Sequence, residues 1–303
     1  MQSIRRYDYG FFGPGSPSWK VWTAPTALIG FQRAVVLEHF DPFLAAAVAD
    51  SAGIYQDPRG RLDHTLAYFL IVAVADGRTV VEASDHLMRV HAKATGVEPI
   101  TGRRYSANNP SSQLWIHITG WHSVLKCYER YGPGPLSPAE ESQYWAESRI
   151  AAELQTCKPS DVPASRDEVR QYFADVHDSL CTSERADRAM QYLLYTPRDR
   201  GFRLWAGSRI LAPAATLSGA QPFQGTVFHA TIQVGRRLPG LVPGAPEAYK
   251  RLLNDVLSVG PARHPLAREQ QQRRTMSVQP GMPCVRVRRH ACPLRGCHHR
   301  LLP

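Results

Sequence analysis

Along most of the first 260 positions the hydrophobic residues recur at intervals of three and four, the period of helices with one buried side. Pro25 opens a first helix running through Glu38, and Pro42 opens a second to about Asp50, because proline's fixed φ suits a first helical turn. The stretch from Arg61 to Ala75 is strongly apolar until Asp76-Gly77 stops it. Thr79 to Thr95 forms the next helix, with Gly96 standing as its carboxyl-terminal cap. A polar loop carrying Gly102, Asn108, Asn109 and Pro110 follows. The clearest helix is Ser112 to Tyr131, where Leu114, Ile118, Trp121, Leu125 and Tyr128 alternate spacings of four and three. Ser137 with Glu140 and Ser165 with Glu168 read as capping boxes, in which hydroxyl and carboxylate satisfy orphan amides reciprocally. The second opens a helix with Val169, Tyr172, Phe173 and Val176 on one face, and further helices are expected at about 183–195, 200–218, 224–237 and 246–258. No alternating strand pattern and no internal repeat appears. The fold class is therefore all-α, with an irregular, aromatic segment at 1–22, one large helical domain over 23–260, and a tail at 261–303.

A chain of 303 residues, 43% hydrophobic, has enough apolar surface for that domain to bury a sizeable core. Leu66 to Ala75, the longest apolar run, is about half of what a membrane span needs. Met1 to Tyr9 is polar and charged where a secretory signal is apolar, so a cytoplasmic location is expected.

The net charge of +10 raises the question of nucleic acid, and its location answers it. From Pro261 onward nine arginines face one acid, Glu269, a net +8 that leaves residues 1–260 at only +2. A nearly neutral body has no basic footprint for phosphate, so no specific nucleic-acid partner is expected. The tail's like charge and few aliphatic residues predict a disordered extension. Its Cys284, His290, Cys292, Cys297, His298 and His299 leave a metal site or a stretched haem-attachment site as alternatives. Cys127, Cys157 and Cys181 are expected as free thiols.

The chain lacks a phosphate-cradling glycine loop, a GxSxG elbow, an HExxH helix and paired Glu-x-x-His motifs. What remains are histidines and arginines on two helices. His91 shares a helical face with Leu87 and Met88, and reads either as a core residue or as a ligand. Arg61, His64 and Thr65, at i, i+3 and i+4, are either a solvated helix start or part of a site.

Several blocks together resemble the MpaB-type oxygenases, a family that includes the catalytic domain of bacterial rubber oxygenases. They are Ala45-Ala46-Ala47-Val48-Ala49-Asp50-Ser51, then Asp57-Pro58-Arg59-Gly60-Arg61-Leu62-x-x-Thr65, then Met88-Arg89-Val90-His91-x-x-x-x-Gly96. Tyr105-Ser106-Ala107-Asn108-Asn109-Pro110 and Leu114-Trp115-Ile116-His117-Ile118-Thr119 follow in order, and the likeness spans about residues 17–220. The resemblance implies a globin-like helical core holding haem b, with His91 as the proximal iron ligand. It implies that Arg61 and Thr65 flank the haem and shape the site. It puts His64 where rubber-cleaving enzymes carry a distal ligand, usually lysine, so that an imidazole there would favour six-coordinate resting iron. Arg61, His64 and Thr65 are thus the catalytic candidates, and His91, Arg61 and Thr65 the haem-binding ones. Met88 stands where rubber oxygenases carry an arginine, and neither Glu38 nor Asp50 lies on a motif matching their acidic base. The implied activity is haem-dependent oxygenation, using dioxygen, of an apolar isoprenoid- or lipid-like substrate. The alternative is a non-catalytic helical binding protein of the same fold without haem.

Overall fold

The computed structural model describes residues 8–194 apart from 52 and 57, and all structural statements refer to these. In chain order they form α1 (Pro17–Trp22), α2 (Ala27–Glu38), α3 (Pro42–Ser51), α4 (Gly53–Gln56), α5 (Pro58–Val74) and α6 (Gly77–His91). A small hairpin of β1 (Thr95–Val97) and β2 (Arg104–Ser106) comes next. Helices α7 (Pro110–Tyr131), α8 (Pro138–Glu153), α9 (Arg166–Val176) and α10 (Glu184–Leu194) complete the described chain. The architecture is helical, as the periodicity requires. The helices expected beyond residue 195 and the tail at 261–303 lie outside the described residues.

Helix α7 is the axis of the core. Asn109 caps it by accepting from Ser111 N–H, Pro110 fills the first turn, and Gly132 follows its end. Thirteen of its 22 residues are buried, so it is enclosed on most sides rather than laid on a surface. Helix α2 crosses it so closely that Gly30 has no room for a side chain. A Cβ there would meet Val124 Cα at 2.5 Å and the Ser123 carbonyl oxygen at 2.9 Å.

The second half of α5 supplies the opposite wall, with Leu66 through Val74 all buried. Its Phe69 ring stacks on Trp22 with centroids 5.4 Å apart, and Trp22 meets Trp121 of α7 edge-on at 5.7 Å. This cluster explains why 17–22 is helical rather than irregular as the sequence suggested. Ser16 accepts from Trp19 N–H and Pro17 opens the turn, so a capped helix delivers Val21 and Trp22 into the core.

Helix α6 is capped by Asp76, which accepts from Thr79 N–H, and ends at His91, earlier than expected. Gly96 is not its cap. It pairs with Tyr105 across the antiparallel hairpin, and a Cβ there would lie 2.7 Å from the Tyr105 ring. The small residue admits the aromatic cover. The Ser137–Glu140 capping box forms in both directions. At α9 Ser165 caps Glu168 N–H, while the Glu168 carboxylate accepts from Ala164 rather than Ser165. Cys127, Cys157 and Cys181 are free thiols.

Gly30→Ala should therefore destabilise the protein by roughly 1–3 kcal/mol, the usual cost of forcing atoms into a packed interior. Gly15→Ala is the control, because nothing lies within 4 Å of a Cβ at that position. Urea midpoints of the two variants, read by helical circular dichroism, measure the difference.

Candidate functional site

The aromatic cluster joins α5 to α7 only along the second half of α5. The first turns of α5 stand clear, with Arg61 and His64 exposed and Thr65 half-buried, while everything from Leu66 to Val74 is enclosed. The Arg61 charge acts on both Glu38 and His91, so the start of α5 and the ends of α2 and α6 frame one neighbourhood, a recess in the sense that its groups are partly shielded from solvent. Arg61 keeps accessible surface, yet burial among protein atoms lowers its pKa, an effect the nearby Glu38 carboxylate partly offsets.

Glu38 ends α2. Its backbone carbonyl accepts from Trp115 Nε1 at 3.3 Å, and its Oε1 lies 3.4 Å from the Thr119 hydroxyl. That hydroxyl also reaches the Trp115 carbonyl at 2.7 Å, so the shorter bond is the one within its own helix. Burial raises the Glu38 carboxyl to about 7, against the smaller opposing effects of Thr119 and the Arg61 charge. His39, next in sequence, is buried; its Nδ1 lies 2.6 Å from the Val35 carbonyl, and its Nε2 has no partner.

His91 stands at the end of α6, half-buried. Burial first, and then the Arg61 charge, lowers its imidazole to about 4. The ring is neutral across the whole neutral range, which is the form that donates to a metal. Its Nδ1 lies 3.1 Å from the side-chain amide nitrogen of Gln113 on α7. The same nitrogen donates a short hydrogen bond to the Ala107 carbonyl.

Of the residues singled out from sequence, Arg61 and His91 thus share one electrostatic neighbourhood. His64 is exposed and makes no hydrogen bond among the described residues. The Thr65 hydroxyl donates to the Arg61 carbonyl at 2.8 Å, so it braces the turn that carries the arginine. Arg89 is exposed. Asp50 belongs elsewhere: it accepts from Tyr105 at 2.8 Å and from Arg185 at 3.0 Å. Gln113 was missed, and Glu38 had been set aside for want of a matching motif. Gln113 carried a signal, since with His117 and Trp121 it forms a stripe at spacings of four, and a polar residue on such a stripe needs a buried partner. Glu38 carried none, because its partners lie 77 and 81 residues away. No three His, Cys, Asp or Glu side chains converge on one point among the described residues.

The family model described as ER-bound oxygenase mpaB/B'/Rubber oxygenase, catalytic domain, matches residues 19–292. The chain belongs to this family. The match takes in Glu38, Arg61, His64, Thr65, His91 and Gln113, every residue of the recess named above. Membership makes the chain an oxygenase-type enzyme domain, acting with dioxygen on a small molecule. Among the described residues no helix is long and apolar enough to cross a membrane. None of the curated proteins and none of the solved structures matches the chain.

Removing the Arg61 cation shifts its two neighbours in the same direction. That cation lowers both Glu38 and His91, so Arg61→Met should raise both. Carboxyl and imidazole NMR titrations check this. A His91 shift without a Glu38 shift would mean that the two do not share the recess.

Proposed function

We propose that the protein is a haem b-dependent oxygenase acting on an apolar, isoprenoid- or lipid-like substrate. The observation that carries the reading is His91: a neutral imidazole, anchored at Nδ1, with no hydrogen bond to its Nε2, on a recess shared with Arg61 and Glu38. One protein nitrogen of this kind is what a haem iron needs for axial ligation. When bound, the haem supplies the dioxygen chemistry, and the protein supplies binding, orientation and electrostatics.

The chain's own residues divide that work. His91 would hold the iron. Arg61 brings a fixed positive charge to the recess and stabilises negative charge that develops there. Thr65 keeps the Arg61 turn in shape through its hydroxyl. His64, on the same turn, is the candidate for the distal side. Glu38, raised to about 7, is poised to hold or release a proton at its carboxyl near neutral pH. The substrate class follows from the family's rubber oxygenases, since rubber is a polyisoprene.

The full chain expressed with a haem precursor should show a Soret band and release haem b on acid-acetone extraction. His91→Ala should lose most of the haem and keep its helical circular dichroism, because a coordinate bond goes while the core is barely enlarged. His64→Ala should keep haem and move the resting spectrum toward five-coordinate iron. A colourless, iron-free wild type ends the haem reading, and haem lost with His64→Ala but kept with His91→Ala reverses the two ligand assignments.

A further inference from the structure

The His91 ring is gripped through one nitrogen, and the grip has a definite sense. Gln113 is 1% exposed, and its amide nitrogen carries two hydrogens. One donates to the Ala107 carbonyl, and the other faces His91 Nδ1 at 3.1 Å. Ala107 is itself held, since its N–H donates to the Ala94 carbonyl at 2.9 Å. The side-chain amide of the next residue, Asn108, donates to the Met88 carbonyl at 2.9 Å, back on the helix that carries His91. A carbonyl can only accept, so Ala107 fixes which end of the Gln113 amide faces inward. A donor aimed at Nδ1 requires a lone pair there, and a neutral imidazole then bears its proton on Nε2. No hydrogen bond falls to Nε2 among the described residues, and Nε2 is not among the buried atoms left without a partner. It is therefore not sealed from solvent.

We propose that Gln113 is the positioning residue of His91: pinned by the Ala107 carbonyl, it holds the ring through Nδ1 and presents Nε2, bearing N–H when nothing is bound, to the recess. The consequence for iron rests on the haem reading above. Ligation through Nε2 would displace that proton, and the ring would regain one at Nδ1 once the amide turned to offer Oε1. The exchange is proton-neutral, and its cost is the Ala107 hydrogen bond. Gln113 thereby sets both the aim of the ligand and the price of loading it.

The test has one arm that needs no haem. In the ligand-free full chain, nitrogen NMR of the His91 ring should show an unprotonated, hydrogen-bonded Nδ1 and a protonated Nε2. Gln113→Leu, close in shape, should remove the hydrogen-bond shift at Nδ1. In the second arm Gln113→Leu should weaken haem affinity by roughly 10- to 100-fold, the usual effect of losing a partner of a ligating histidine. Gln113→Glu accepts from Nδ1–H without turning, so it should restore affinity and lower the reduction potential of the bound iron, which a merely structural side chain would leave alone. A protonated Nδ1 in the wild type, or ring signals unchanged in Gln113→Leu, overturns the proposal. If the wild type takes up no haem, the haem reading fails and the ring signals alone decide about Gln113. If Gln113→Leu does not fold, the proposal stands or falls on the ring signals of the wild type and of Gln113→Glu.

Discussion

The close crossing of α2 on α7 at Gly30 fixes where everything else can lie. Bringing the backbones together there sets the end of α2 against the middle of α7, so the Glu38 carbonyl meets Trp115 and its carboxyl meets Thr119. The same α7 carries Gln113 two residues before Trp115, on a different side of the helix, where it meets the end of α6. One helix thus presents both the carboxyl and the imidazole partner to the recess. The packing of α2 on α7 thus places Glu38, while the Ala107–Asn108 connection ahead of α7 ties Gln113 and the end of α6 together.

Burial acts oppositely on the two kinds of ionisable group in the recess, raising Glu38 and lowering His91, because in both cases it disfavours the charged form. The Arg61 cation then opposes burial at Glu38 and reinforces it at His91. The recess near neutral pH therefore holds a permanent cation, a carboxyl close to its midpoint and an uncharged imidazole. The imidazole carries a single ring proton until well below neutrality, so a metal approaching it has one proton to displace and not two. A carboxyl at its midpoint is equally ready to give or take a proton.

The helices were legible because one period runs through them, and the family blocks marked Arg61 and His91 before any geometry was available. What was not legible depended on distant contacts. Six residues of α1 are too few to show a period, and they are helical because Trp22 has Phe69 and Trp121 to pack on. Gly96 looked like a helix cap because glycine serves both there and beneath an aromatic ring, and only the pairing with Tyr105 separates the two. Glu38 became a site residue only when α2 was laid on α7. The expected tail, with its cysteines and histidines, and the helices expected beyond residue 195 lie outside the described residues.

The bland reading of His91, a histidine satisfied within a core, can be judged against the chain's other buried histidines. His117 comes nearest to it: it is fully buried, with Nε2 at 2.8 Å from the Ser148 carbonyl and its ring against Trp121, although its Nδ1 has no partner. His39 is locked to its own helix through the Val35 carbonyl, with Nε2 sealed away from solvent. His122 lies 3.3 Å from the Arg33 guanidinium and against the Phe173 ring, and burial together with four surrounding cations holds it well below its ordinary pKa. All four are kept neutral by the same desolvation, so neutrality alone does not single out a ligand. A pinned partner at Nδ1 does not single out a ligand either, since Arg33, beside His122 Nδ1, is itself held by its bond to Ser123 Oγ. What sets His91 apart is its surroundings. Its Nδ1 partner is an uncharged amide, and it shares the influence of Arg61 with the Glu38 carboxyl, where His122 has four cations about it.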